Sequence, residues 1–133
     1  AGRLVACDFF DPAVWFRGVA DLVILSDDKA WIVDYKSGKN AKYADTRQLA
    51  LMAAAIFLKH PQIKKVKASL LFVISKDFIK EDFNIEYGLS IFSELSGLLT
   101  AREAAYNNDV WNPRPNGLCK KWCKVQSCPH NGG

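Results

Sequence analysis

The sequence predicts an α/β (α+β) fold, a mixed central β-sheet flanked by helices. Three observations predict it. Two β-branched and aromatic stretches, Val14–Leu25 and Ala30–Lys36, flank the polar turn Asp27-Asp28-Lys29. An Ala- and Leu-rich stretch without a breaker, Tyr43–Lys59, follows and ends at His60-Pro61. A second apolar run, Val66–Ser75, then precedes a stretch of helical period, Leu89–Asn107. Strands and helices that alternate in this way pack as a sheet with helices laid on it.

Taken in order, Arg3–Phe10 has β character and Asp11-Pro12 turns the chain. Val14–Leu25 and Ala30–Lys36 are expected to pair as antiparallel neighbours. That pairing places Asp21 near the middle of one strand and Asp34 near the end of the next, so the two carboxylates can converge. Trp15 and Trp31 read as core. Ser37–Lys42 is a polar loop. Val66–Ser75 reads as a buried strand, and FIKEDFNIEY (Phe78–Tyr87) as an edge strand with a turn. Leu89, Phe92, Leu95, Leu99 and Tyr106 give the last helix an apolar stripe. WNPRPNG (Trp111–Gly117) excludes regular structure and serves as a linker. The domain reading is a core over 1–110 and a linker with a cysteine-rich tail over 111–133, packed on that core. The chain starts Ala-Gly-Arg, which reads as a processed protein or a fragment.

The chain has 133 residues, half of them apolar and 24% charged, with a net charge of +4. That is the profile of a soluble globular protein of single-domain size. A mild positive balance is compatible with a polyanionic partner. The longest apolar run, LALMAAAIFL (Leu49–Leu58), is too short to cross a bilayer. No membrane partner and no secretory signal is expected.

The chemistry concentrates in WIVDYKSGK (Trp31–Lys39). Asp34 and Lys36 lie two apart and therefore share one face of a strand, while Tyr35 points to the other. Asp21, set in the apolar stretch VADLVIL, is costly to bury without a partner. Two converging carboxylates, helped by the backbone carbonyl of Tyr35, suit Mg²⁺ or Mn²⁺. Such an ion acidifies a bound water and neutralises charge on a phosphate. A lysine beside it orients that water or stabilises the negative transition state. Taken alone, Asp-x-Lys also reads as a partly exposed ion pair of little worth. Arg47 and Gln48, at the start of the following helix, can reach the same pocket.

The stretches RGVADLVIL, WIVDYKSGK and RQLALMAAAIF together resemble the PD-(D/E)xK nuclease superfamily, in particular its RecB-type branch with the iron–sulfur exonucleases of phages and CRISPR systems. Gly18 and Asp21, Asp34 and Lys36, and Gln48 match that pattern in order and element type. The resemblance implies a restriction-endonuclease-like core. It implies a metal-dependent deoxyribonuclease that acts on DNA ends in recombination, replication or DNA degradation. Proteins of recombination or replication would be its partners and a bacterial cytoplasm its location. Asp21, Asp34, Lys36 and Gln48 would be catalytic. Met52 stands where the pattern often has a tyrosine, and the upstream acid or histidine of the pattern is not in this chain.

Cys119, Cys123 and Cys128 form C-x3-C-x4-C near the end of the chain, with His130 two residues later. Clustered thiolates point to Zn²⁺ or an iron–sulfur cluster, and either wants a fourth ligand. Cys7 or His130 is the candidate. The resemblance places a [4Fe–4S] cluster ahead of zinc, and the alternative for Cys7 is a small buried apolar residue. Lys39, Lys42 and Arg17 are candidate DNA contacts, and basic residues also crowd KHPQIKKVK (Lys59–Lys67) and KKWCK (Lys120–Lys124). Trp122 either stacks on a base or packs the cysteine knot. His60 reads as a helix-end residue. Two rival readings are a catalytically weak or inactive nucleic-acid-binding module of the same fold, and a zinc-stabilised structural domain.

Overall fold

The computed structural model describes residues 5–39 and 41–132. The chain divides into two compact units, Ala1–Gly97 and Leu98–Gly133.

In the first unit, four strands form one sheet in the order β1 (Leu22–Leu25), β2 (Lys29–Lys36), β3 (Lys65–Phe72) and β4 (Asp77–Asn84). β1 pairs antiparallel with β2, β2 parallel with β3, and β3 antiparallel with β4. The sheet is thus mixed, as the sequence predicts. Two parallel neighbours cannot be joined by a hairpin, so β2 and β3 need a crossover. Helix α1 (Arg47–Lys59) provides it, after a short 3-10 turn at Ala41–Tyr43. Ala and Leu dominate α1, and its last turn closes with His60 N–H donating to the Ile56 carbonyl at 2.8 Å. Pro61 cannot continue the ladder. His60 is therefore the helix-end residue that its position predicts.

Alternation sets the two faces of β2. Ala30, Ile32 and Asp34 are buried, while Trp31 and Tyr35 are exposed. The apolar stripe of α1, Leu49, Met52, Ala53 and Phe57, covers the buried face together with Val66, Ala68, Leu70 and Phe72 of β3 and Phe83 of β4. Met52 is thus a core residue. Ser69, buried on β3, donates its hydroxyl to the Ile32 carbonyl at 2.9 Å and so meets its own desolvation cost.

Several sequence expectations fail here for physical reasons. Residues 5–8 form no strand, and β1 begins only at Leu22, not at Val14; β propensity without a partner strand makes no ladder. The part of the Arg3–Phe10 reading at Arg3 and Leu4 lies outside the described residues. The helix expected from Tyr43 starts at Arg47. Trp15 and Trp31 are not core but 48% and 37% exposed. The run Val66–Ser75 ends as a strand at Phe72, because residues 73–76 form the turn into β4. Lys76 takes φ 59° there. β4 is the edge strand read from FIKEDFNIEY, but it starts at Asp77 and passes directly into α2 (Ile85–Asn108).

Within the first unit, α2 buries only Gly88 and Ile91. A side chain at Gly88 has no room, since a Cβ there would stand 2.6 Å from Cε2 of the core residue Phe57. In the second unit, α2 ends in a Schellman turn. Val110 N–H donates to the Ala105 carbonyl at 3.0 Å, and Asp109 takes the left-handed conformation, φ 51°. The expected apolar stripe is not buried at its far end, where Leu99 and Tyr106 are 40% and 68% exposed. Residues 110–116 are irregular, as WNPRPNG predicts, and α3 (Leu118–Lys121) follows.

The tight fit at Gly88 makes Gly88→Ala destabilising by about 1–3 kcal/mol, because the Phe57 ring must shift. Urea unfolding of the variant, compared with Gly97→Ala on the same helix, where a Cβ meets nothing within 4 Å, checks it.

Candidate active site

Asp34 is the third residue of a core-facing row, after Ala30 and Ile32, and only 6% of it is exposed. A carboxylate in that place must find partners or neutralise. It has two. Gln48, in the first turn of α1, donates its side-chain amide to Oδ1 at 3.1 Å. Lys36, next on the same face of β2, sets its ammonium 2.5 Å from Oδ2. The Lys36 ammonium is thus the partner of Oδ2, as the Gln48 amide is of Oδ1.

Asp21 approaches β2 from its place just before β1. Leu22 pairs with Val33, and continuing that register by one residue sets Asp21 across from Asp34. Its carboxylate is fixed there, since Tyr35 N–H donates to Asp21 Oδ2 at 2.8 Å. The structure therefore brings Asp34, Lys36 and Gln48 into contact, and ties Asp21 to the residue between Asp34 and Lys36. Two details differ from expectation. Asp21 lies just before β1 and not mid-strand, and it is exposed, so a burial cost is not what makes it notable. Tyr35 contributes its N–H to Asp21, a bond that sequence gave no reason to expect.

A second missed feature is Asp45. It accepts from Arg47 N–H at 3.0 Å and from the Arg47 guanidinium at 2.6 Å. Those hydrogen bonds hold its carboxyl below the usual carboxylate range. Asp45 thereby satisfies one of the free N–H groups that open α1, and this turn carries Gln48. The signal was present in sequence, as Asp-Thr directly before an apolar helical run. Arg47, paired with Asp45, is not among the partners of Asp34.

The donor set fits a hard cation. Asp34 on β2 and Asp21, tied to the next residue of β2, are carboxylates with hard oxygens, and Mg²⁺ is commonly held by one or two carboxylates plus water and phosphate oxygens. Among the described residues, no group of three or more His, Cys, Asp or Glu side chains comes together as a metal site.

The remaining candidates are dispersed. Lys39 is exposed in the loop after β2, and Lys42 is exposed in the 3-10 turn; Asn40 between them lies outside the described residues. Arg17 holds the segment before β1 together: its guanidinium donates to the Phe9 carbonyl and, at 3.1 Å, to the Asp11 carbonyl. Cys7 is exposed and lies on no strand, which corrects its reading as a buried apolar residue. In the second unit, Cys119, Cys123 and Cys128 are free and half-buried, and His130 is likewise half-buried. Their donor types suit zinc or iron–sulfur, but they do not converge as a ligand set. Trp122 packs no knot, being 76% exposed. No helix among the described residues is long and apolar enough to cross a membrane.

A family model for the PD-(D/E)XK nuclease superfamily matches residues 2–129. No curated protein and no solved structure matches the chain. Members of the superfamily are usually nucleases or other phosphodiesterases, typically with Mg²⁺ or Mn²⁺, and their fold implies DNA as substrate. With a match over nearly its whole length and a mixed four-stranded sheet to carry it, this chain belongs to the PD-(D/E)XK nuclease superfamily.

Proposed function

We propose that the protein is a metal-dependent deoxyribonuclease of the RecB-type branch, of phage or mobile-element origin, which hydrolyses phosphodiester bonds from DNA ends in recombination, replication or DNA degradation. One observation carries the catalytic reading. The buried Asp34 carboxylate stands between Lys36 and Gln48, with Asp21 tied to the adjacent Tyr35 N–H.

Asp21 and Asp34 offer hard oxygens to one or two Mg²⁺ or Mn²⁺ ions, with the Tyr35 carbonyl as a further donor. Bound there, the cation lowers the pKa of a water and neutralises charge developing on the phosphate. Lys36 has its ammonium beside Asp34 and a third of its side chain exposed, so it can meet substrate while remaining anchored. It orients the attacking water and stabilises negative charge in the pentacovalent transition state. Gln48 fixes the Asp34 carboxylate through Oδ1 and leaves Oδ2 to the Lys36 side. Tyr35 N–H does the same for Asp21. Lys39 and Lys42, after the catalytic strand, and Arg17, before it, are the proposed contacts to DNA phosphates. For the tail the thiol spacing favours a structural [4Fe–4S] cluster or Zn²⁺ on Cys119, Cys123 and Cys128 with His130 as fourth ligand; visible absorption with iron and zinc analysis of purified protein tests it.

End-labelled linear DNA with Mn²⁺ or Mg²⁺ should be degraded by the wild type, while closed circular DNA resists. Asp34→Ala and Lys36→Ala should each reduce the rate roughly 100-fold or more, and EDTA should abolish it. Equal degradation by wild type and both variants sinks the reading. Gln48→Ala leaves a buried oxygen without its donor and should cost about 1–3 kcal/mol in urea unfolding, besides slowing cleavage.

A further inference from the structure

The positive charge of this chain is not spread over it. Of 18 Lys and Arg and 14 Asp and Glu, residues 110–133 hold four basic residues, Arg114, Lys120, Lys121 and Lys124, and no acid. The remaining 109 residues hold fourteen of each and are neutral. The whole net charge of +4 therefore sits in the tail. A polyanionic substrate meets a balanced core and a cationic tail.

Trp122 stands in the middle of that charge. It is the residue after α3, and its N–H donates to the Leu118 carbonyl at 3.0 Å. Its side chain is 76% exposed, and Lys120, Lys121 and Lys124 around it are exposed too. None of these lysines forms an ion pair with a carboxylate among the described residues. Yet the backbone beneath is tied. Asn131 donates its amide to the Cys123 and Val125 carbonyls at 3.0 Å, and Gly132 N–H donates to the Cys119 carbonyl at 3.1 Å. An indole held out from a fixed turn among unpaired ammonium groups serves no packing purpose within the tail.

We infer that the tail is a binding site for single-stranded nucleic acid, with Trp122 as a stacking platform for a base and Lys120, Lys121 and Lys124 as partners of the flanking phosphates. Unpaired bases offer an open π-face and duplex bases do not, so the site selects single strands. The inference deepens the nuclease reading by giving the substrate a frayed or single-stranded end. The tether to the tail raises the local concentration of that strand for the core.

Binding of a fluorescent oligo(dT) to the full chain as purified, with no Mg²⁺ or Mn²⁺ added so that cleavage does not proceed, tests it. Trp122→Ala should weaken binding about 10-fold and Trp122→Phe should restore most of it. Neutralising Lys120, Lys121 and Lys124 to Gln should reduce the salt slope, d log K/d log[salt], by about 2. A duplex of equal length should bind more weakly and be indifferent to Trp122. Circular dichroism checks that the variants keep the wild-type fold. Absence of oligo(dT) binding by wild type, indifference to Trp122→Ala, an unchanged salt slope, or equal single- and double-strand affinity would overturn the inference. Trp122-dependent binding without Mn²⁺-dependent cleavage would instead refute the nuclease reading and leave this one standing.

Discussion

The site depends on one constraint, that a carboxylate occupies a place in a hydrophobic row. Asp34 continues the alternation of Ala30 and Ile32, and its backbone position is fixed by the ladder to β3, one residue past the last pair with β1. Most residues in that row need only volume. Asp34 needs donors, and Lys36 and Gln48 stand where they do because a buried carboxylate without them would be expensive. Strand pairing brings Asp21 opposite, and the crossover between parallel strands brings the first turn of α1 above. The sheet order, the crossover and the site are thus consequences of one arrangement.

The same arrangement separates rigidity from reach. Asp34 and its partner Gln48 belong to the packed side of the sheet, in contact with the elements that make the core. Asp21 and Lys36 lie where that side opens to solvent. One carboxylate is held by Gln48 and Lys36 within the packing, the other by a single backbone N–H. A centre of this kind has a fixed half and an adaptable half, which suits chemistry on a polymer that must enter and move on.

Much of this was legible in sequence, and the reasons are specific. Asp34 and Lys36 share a face because strand period is two, while the hairpin turn at Asp27-Asp28 tells that the strands pair but not their register. Gln48 was singled out by the family resemblance, and it is the helix start at Arg47 that sets it beside Asp34. What sequence could not supply was coverage. Trp15, Trp31, Trp122 and Cys7 are residue types that usually find cover, and the fold leaves each of them exposed. Nor could it supply partners for Val14–Gly18, whose β-rich composition had no strand to pair with. Asp21 was read as a carboxylate in an apolar strand, and the structure leaves it exposed just before β1.

β1 has four residues, none of them buried, and a neighbour on one side only. Strands so held open by local fluctuation well before the rest of a domain unfolds. Asp21 precedes β1 directly, so each such excursion takes one of the two carboxylates out of the centre. Any ligand that bridges Asp21 and Asp34 closes that excursion, and its affinity and the order of the sheet edge become two readings of the same free energy. Amide hydrogen exchange along Leu22–Leu25 is then a thermometer for occupancy of the centre.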